Sequence, residues 1–248
     1  MTHTLVTLAE RPELEAAIPR LHGESWPAFL LADPVAQQYW GKLFSLFAEY
    51  QYLLCDEEER LIAAGHCIPL AWDGTIAGLP EGWDGALSQG FADFEQGCLP
   101  TVLCGLSIVI APGQQGQGLS ELMVEAMKDI AALDGLERII IPIRPSRKSR
   151  YPAVPLEEYI QWRQPDGSPF DPWLRIHQRL GAEILALAPR SMVITGSVAQ
   201  WEAWTGLRFP ESGSYEVPGA LDLLMIDVQQ NLGRYEETNV WVRYTGIV

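Results

Sequence analysis

The sequence predicts a mixed α/β (α+β) fold in which helices flank a central sheet. The main observation is an apolar, strand-like run over 106–110 that leads into a glycine-rich turn over 111–118. A helix and a second apolar strand over 138–143 follow directly. Two Asp-Pro pairs that start helices, and two apolar runs on either side of an acidic turn, add further elements. With 248 residues the chain is long enough to bury a core.

Two helix starts are marked by Asp-Pro pairs. At Asp33-Pro34 and again at Asp171-Pro172 the aspartate can cap the first turn, and the proline fits the first helical position. Gly181 lies where the second of these helices should end. Further helices are predicted over 12–21, over 83–96 and at Trp201 to Trp204, which are one helical turn apart.

The helix after the glycine-rich turn is the most regular element. Gly135 lies just past its end, and its apolar residues recur at steps of three and four. These are Leu119, Leu122, Met123, Ala126, Met127, Ile130 and Leu133. Bare backbone amides in the turn, together with the positive end of the helix dipole, are suited to bind a phosphate group.

Strands are predicted from apolar or alternating runs. Those over 50–55 and 60–70 form a hairpin across the acidic turn 56–59, which we interpret as solvated. The others are predicted over 4–9, 182–188, 193–199 and 238–244. A long irregular stretch follows the second central strand and contains the basic cluster Arg144, Arg147, Lys148 and Arg150. A ligand-facing role and a solvated loop both fit this cluster, which lies where ligands bind in open α/β sheets.

Two common phosphate-binding motifs do not fit the glycine-rich turn. A P-loop requires Gly-Lys-Ser/Thr at the helix start, whereas Gly118 is followed by Leu119 and Ser120. A dinucleotide fingerprint requires G-x-G-x-x-G, whereas counting from Gly116 puts Glu121 in place of the third glycine. A nucleotide-binding oxidoreductase is therefore disfavoured.

The segment 115–120, read as Gln-Gly-Gln-Gly-Leu-Ser, resembles the acyl-CoA loop Q/R-x-x-G-x-G/A of the GNAT (GCN5-related N-acetyltransferase) superfamily. Gln115 and Gly118 match, and Ser120 stands where Gly or Ala is usual. The resemblance implies a mostly antiparallel sheet with one splayed parallel strand pair, and acetyl-CoA as the acyl donor without a metal. It implies cofactor-binding roles for Ile108, Val109, Ile110, Gln115, Gly116, Gln117, Gly118, Leu119 and Ser120. Gly105 fits the expected bulge in the first strand. Pro142 fits the point of splaying and equally fits an edge strand.

A second resemblance concerns the predicted helix-to-strand passage over 174–182. It is similar to the GNAT pattern Y-x-K-L-G-F, with His177 at the usual tyrosine and Ala182 at the aromatic position. That tyrosine commonly protonates the leaving thiolate, so the resemblance makes His177 the candidate acid; a histidine hydrogen-bonded into the core is the alternative. The segments 159–163, 166–173 and 239–241 are most similar to GNAT modules found alone or beside nitrilase-type hydrolases.

The catalytic candidates are His177 and His66. His66 lies on the predicted third strand, where it could accept a proton through water, although a core or surface histidine also explains it. Tyr151 and Tyr159 could donate a phenolic proton or simply pack. Ser107 lacks a nucleophile elbow, and Glu137 begins the second central strand at the end far from the loop; neither is a candidate.

Composition limits the partners. The net charge of −15 argues against nucleic acid and anionic membranes. It is compatible with a small-molecule amine acceptor, and the need for solubility also explains it. Cysteines at 55, 67, 98 and 104 show neither metal-ligand nor disulfide spacing. With no secretory signal pattern and no apolar run of about 18 residues, a cytoplasmic location is expected. A homodimer is compatible with the sequence.

The combined prediction is an N-acyltransferase that moves an acetyl or other short acyl group from acyl-CoA directly to a primary amine. The alternative is a non-catalytic acyl-CoA-binding or sensing module, because the usual tyrosine is missing and the chain has an extra C-terminal segment. We expect a GNAT-like core over 1–189 and a C-terminal extension over 190–248 that packs on the same unit. The aromatic content of the extension is too high for a free tail.

Overall fold

A computed structural model describes residues 3–247. Within these residues, nine strands form one sheet with the order β1-β2-β3-β4-β5-β9-β8-β7, and β6 pairs with β9. The strands are β1 (Thr4–Thr7), β2 (Gln51–Cys55), β3 (Leu61–Leu70), β4 (Val102–Ile110), β5 (Arg138–Ile143), β6 (Glu183–Gly196), β7 (Gly213–Tyr215), β8 (Leu224–Asp227) and β9 (Leu232–Thr245). All pairs are antiparallel except β4 and β5, which confirms the predicted fold class.

The helices are α1 (Ile18–Ser25), α2 (Pro34–Leu46), α3 (Gly82–Gln96), α4 (Leu119–Leu133), α5 (Leu156–Tyr159), α6 (Pro172–Arg179) and α7 (Val198–Thr205). Both Asp-Pro pairs start helices as predicted. The Asp33 carboxylate accepts from the amide of Ala36 at 2.8 Å, and that of Asp171 accepts from the amide of Trp173 at 2.9 Å. The predicted helix over 12–21 begins as a 3-10 helix, Pro12–Ala17, and continues as α1 to Ser25.

The prediction of separate strands over 182–188 and 193–199 is wrong. One strand, β6, runs through both segments, with a register shift against β9 between Ala188 and Met192. It ends at Gly196 because Ser197 and Gln200 form a capping box that starts α7. The last strand, β9, begins earlier than predicted, and the short strands β7 and β8 were not predicted.

The parallel pair β4–β5 is short. Its paired positions are Leu103 with Ile139 and Cys104 with Ile140, after which the two strands separate. At the same level the register between β3 and β4 shifts, so that Leu106 forms a bulge next to Gly105. Beyond the pair, β5 continues along β9, where Pro142 lies opposite Trp241. The gap between β4 and β5 is thus bordered by a bulge on one side and a proline on the other.

The C-terminal region supplies central parts of the sheet. Strand β9 lies between β5 and β8 and pairs with β6 along most of its length. Strand β6 crosses the expected boundary at residue 189, so the backbone there is continuous within one strand. Trp201 on α7 and Trp241 on β9 are both buried and belong to the main core cluster. The division into a core and an extension stays a prediction.

Candidate active site

The glycine-rich turn leaves its backbone amides open. Gly116 and Gly118 both have φ of 79°, and a Cβ added at either one would meet no atom within 4 Å. Among the described residues, the amides of 115–120 donate to no other group. Helix α4 starts at Leu119, directly behind this turn, so its positive end points at the same space. The turn therefore forms an open cradle for an anion.

A cavity of about 920 Å³ opens beside this turn. It extends along the bulged part of β4 and the end of β5. Helices α1, α2 and α6 form most of its other walls, and α3, α4, β6 and β9 contribute one or two residues each. Of the predicted cofactor-binding residues, Ile108, Val109, Ile110, Gln115 and Ser120 line the cavity. Gly116, Gln117, Gly118 and Leu119 lie outside its lining, in the turn and the first helical residue. The strand residues and the two ends of the segment 115–120 thus face the cavity, whereas the middle of that segment lies outside its lining.

One part of the cavity wall carries fixed charges. The Arg144 guanidinium donates from Nε to both oxygens of Glu237 at 3.0 Å, and it also bonds the carbonyl of Gly219. The Tyr235 hydroxyl and the Asn239 amide donate to Glu237 as well, at 2.7 and 3.0 Å. Burial alone would lower the pKa of Arg144, but the charge of Glu237 raises it above its usual value. Glu237 is fully buried, whereas the Arg144 side chain is 32% exposed.

Two histidines form a buried pair near α1. The Nε2 atoms of His22 and His66 are 3.0 Å apart, and His66 Nδ1 is 3.0 Å from Gln51 Oε1. The His22 ring stacks on Trp26 with centroids 4.3 Å apart. Burial lowers the pKa of His22 to about 4 and that of His66 well below its usual value, so both rings are neutral at neutral pH. His22 lines the cavity, and His66 lies behind it.

No family model matches this chain. It is 32% identical to the arginine N-acetyltransferase avaD of Aspergillus versicolor, over 97% of the chain and 93% of that protein. The chain belongs to the GNAT superfamily of N-acetyltransferases. Its activity is therefore N-acetyl transfer from acetyl-CoA to the amine of a small molecule, as predicted.

Two solved structures share the fold over nearly their full length. They are the loading GNATL domain of CurA from Lyngbya majuscula and the GphF GNAT-like decarboxylase in complex with isobutyryl-CoA. The first has a TM-score of 0.62 and 18% identity, and covers 99% of this chain and 98% of its own. The second has a TM-score of 0.59 and 17% identity, and covers 99% of each chain. The narrower likeness to modules beside nitrilase-type hydrolases stays a prediction.

His177 of this acetyltransferase lies on α6 and lines the cavity. Its Nδ1 is 2.6 Å from the Tyr244 hydroxyl, and its Nε2 is buried without a partner among the described residues. Burial, helped by the nearby charge of Lys128, lowers the pKa of His177 to about 3. The ring is thus neutral at neutral pH and can act on a thiolate only as an N–H donor. Its role as the acid stays a prediction.

Lys148 and Tyr159 of the predicted irregular stretch turn away from the cavity. The Lys148 ammonium is buried and donates to the carbonyls of Tyr151 at 3.0 Å and Leu221 at 2.5 Å. Tyr159 donates to the Asp171 carboxylate at 2.9 Å, which anchors this stretch to the start of α6. Of the basic cluster, Arg144 is the member that lines the cavity. The ligand-facing interpretation therefore applies to Arg144 and not to Lys148.

Sequence reasoning missed several residues of the cavity wall. His22 follows the last residue of the helix predicted over 12–21, one turn after Ile18, so a longer helix would have placed it on the buried face. Trp40 lies on α2, the helix that Asp33-Pro34 starts, and the sequence did not single it out. Asn239 was included in a predicted strand and in the segment 239–241 but not as a site residue. Glu237 carries no local signal, because its position depends on the pairing of β9 with distant strands.

Within residues 3–247 no group of His, Cys, Asp and Glu side chains could hold a metal ion. No helix in the same range is long and apolar enough to cross a membrane.

Proposed function

We propose that this enzyme acetylates the α-amine of a cationic amino acid such as arginine, and that Arg144 binds the carboxylate of that acceptor. The observation that carries the proposal is the Arg144–Glu237 pair on the cavity wall. Glu237 accepts from Arg144, Tyr235 and Asn239, so its oxygens are occupied. Its charge fixes the guanidinium in place, and the remaining N–H groups of Arg144 are left for a ligand.

The rest of the cavity suits the cationic side chain of the proposed acceptor. The indole rings of Trp26, Trp40 and Trp83 line it, and neighbouring rings in this series lie 5.6 Å apart. The faces of tryptophan rings attract guanidinium and ammonium groups. The net charge of −15 also favours the approach of a cation over that of an anion. A relative, avaD, carries arginine in its name, which agrees with this chemistry.

We propose that the coenzyme A phosphates lie on the free amides of 115–120 and that the pantetheine arm follows 108–110. The open cradle of Gly116 and Gly118 leaves room for a pyrophosphate against the backbone. The separated ends of β4 and β5 leave edge groups of β4 without a strand partner, which the arm can pair with. Acetyl-CoA supplies the thioester, and the cavity holds the amine beside it so that the reacting atoms are aligned.

The acceptor proposal is tested by comparing L-arginine with agmatine, which lacks the carboxylate. Removing Arg144 alone would leave Glu237 buried and unpaired, so the variant is the double substitution R144Q/E237Q. We expect kcat/KM for arginine to fall roughly 10- to 100-fold, as for a lost hydrogen bond to a charged group. For agmatine it should change less than about threefold. The single variant E237Q, which keeps the arginine, is the matched control.

An equal loss for arginine and agmatine in R144Q/E237Q would show that Arg144 does not read the carboxylate. A wild-type enzyme that acetylates neither compound, but acetylates another amine, would overturn the choice of acceptor. Kinetics are followed by the release of the free coenzyme A thiol.

We also propose a cytoplasmic location without nucleic acid or membrane partners. The acidic charge supports this, as do the free cysteines Cys55, Cys67, Cys98 and Cys104. A homodimer stays a prediction, which light scattering on the purified protein tests.

A further inference from the structure

The hydrogen-bond pattern around Gln51 fixes how the two buried histidines carry their protons. The Gln51 side-chain amide donates to the carbonyls of Phe47 at 2.8 Å and Cys67 at 2.9 Å. Both amide hydrogens are therefore used, and the side-chain oxygen can only accept. The group 3.0 Å from that oxygen is His66 Nδ1, so Nδ1 must carry the proton.

The position of the proton on His66 also determines the position of the proton on His22. A neutral imidazole with its proton on Nδ1 has a lone pair on Nε2. His66 is completely buried, which keeps it neutral. Its Nε2 must therefore accept from His22 Nε2, which lies 3.0 Å away. Neutral His22 is thus protonated on Nε2, and its Nδ1 carries a free lone pair.

The free nitrogen belongs to a side chain of the cavity wall. His22 Nδ1 makes no hydrogen bond to a described residue. It is not among the fully buried polar atoms without a partner, so part of its surface is accessible. His22 is 5% exposed and lines the cavity, so the cavity gives access to this atom. His66 lies opposite Ser107 in the sheet, within the part of β4 that has separated from β5. The pair therefore stands beside the gap between the two strands.

We infer that His22 is the general base of the acetyl transfer and that His66, held by Gln51, is the positioning residue that keeps the lone pair of His22 on Nδ1. In this step the acceptor nitrogen bonds to the thioester carbonyl carbon and loses one proton to His22 Nδ1. The carbon–sulfur bond breaks, and the thiolate leaves with its electron pair. Nδ1 then releases the proton to solvent through the cavity.

The arrangement suits this step for two reasons. A neutral ring is ready to accept a proton, and the nitrogen of the adduct is far more acidic than a free ammonium group once it has bonded to carbon. When His22 becomes charged, its Nε2–H bond to His66 becomes a charge-assisted hydrogen bond, which stabilises the imidazolium. Stacking on Trp26 holds the ring in the same orientation throughout.

The first test substitutes each histidine. H22Q should lower kcat about 10- to 1,000-fold while the affinity for acetyl-CoA, measured by calorimetry, stays within twofold. Imidazole added to H22A should restore turnover, whereas thiazole, which has the same shape but is a much weaker base, should not. H66L should lower kcat because His22 loses its acceptor, and H66Q, whose side-chain oxygen can accept, should keep most of the activity. Full activity of H22Q would overturn the assignment, as would rescue of H22A by thiazole.

The second test is independent of any acceptor. Nitrogen-15 NMR of histidine-labelled protein should show His22 protonated on Nε2 and His66 on Nδ1, and the H66L variant should mix the two forms of His22. A His22 ring with its proton on Nδ1 in the wild type would overturn the proposal. Because turnover can be measured with any amine that the enzyme accepts, a failure of arginine as acceptor would leave this inference in place. If H22Q leaves kcat unchanged with an amine that the wild-type enzyme acetylates, the inference is refuted.

Discussion

Substituting valine for Gly118 tests whether the coenzyme A phosphates lie on the glycine-rich turn. A Cβ added at this glycine would have open space around it, so no protein atom within 4 Å would resist the side chain. Instead, two methyl groups would enter the space that we assign to the pyrophosphate. We expect the variant to lose at least about 2 kcal/mol of binding free energy, or roughly 30-fold in Kd.

Valine also strains the backbone, because φ at Gly118 is 79°. Such a conformation costs roughly 1–3 kcal/mol of stability for a branched residue, independently of any ligand. Gly135, just past the other end of α4, has φ of 68° and equally open surroundings, so G135V is the matched control for strain. Isothermal calorimetry with acetyl-CoA measures Kd, and thermal unfolding measures stability. G118V and G135V should both melt lower, but only G118V should bind more weakly. A folded G118V that binds within twofold of the wild type would show that the phosphate site is elsewhere.

Three further outcomes are expected. His177 is neutral and can assist the thiolate only as an N–H donor, so H177L, which removes the donor, should lower turnover roughly 10- to 100-fold with unchanged acetyl-CoA affinity, whereas H177Q, which keeps a donor, should retain most of the turnover; an unchanged rate in H177L would make His177 a packing residue. A chain that ends at Pro189 loses β9 and the second half of β6, so it should be insoluble or melt much lower, and a stable, active truncation would contradict this. Burial, and then the charge of Asp33, raise the pKa of Asp84 to about 8, so the folded state holds a proton there that the unfolded state releases. The proton bound by Asp84 therefore adds to the free energy of unfolding in acid, and this contribution is lost as the pH rises toward 8. The free energy of unfolding in urea is measured at pH 5 and at pH 8. Between these two pH values D84N should lose less stability than the wild type, whereas the exposed-site variant D129N should lose as much as the wild type.

The elements on which we propose to place coenzyme A could be predicted from the sequence because their signals are local. The glycine-rich turn, the apolar periodicity of α4 and the Asp-Pro helix starts each depend on residues within one or two turns. Pro142 and Gly105 correctly marked the place where β4 and β5 separate. The motif 115–120 then led to the superfamily, which the comparison with avaD confirmed.

The acceptor side could not be predicted in the same way. Arg144 and Glu237 are 93 positions apart in the chain, and they meet because β9 pairs with β5. His22 and His66 are 44 positions apart, and they meet because α1 packs against β3. The prediction of two strands in place of β6 failed for a related reason, since a strand that is continued through a register shift owes its continuity to its partner and not to its own pattern.

The sequence by itself therefore determined the fold class, the superfamily and the turn where coenzyme A is expected, because backbone conformation and helix dipoles act over short distances along the chain. Only the tertiary structure decided which nitrogen of His22 is free, and that Lys148 turns inward while Arg144 lines the cavity. Protonation and hydrogen bonding depend on atoms within about 3 Å in space. In this protein those atoms come from strands and helices that are distant in sequence.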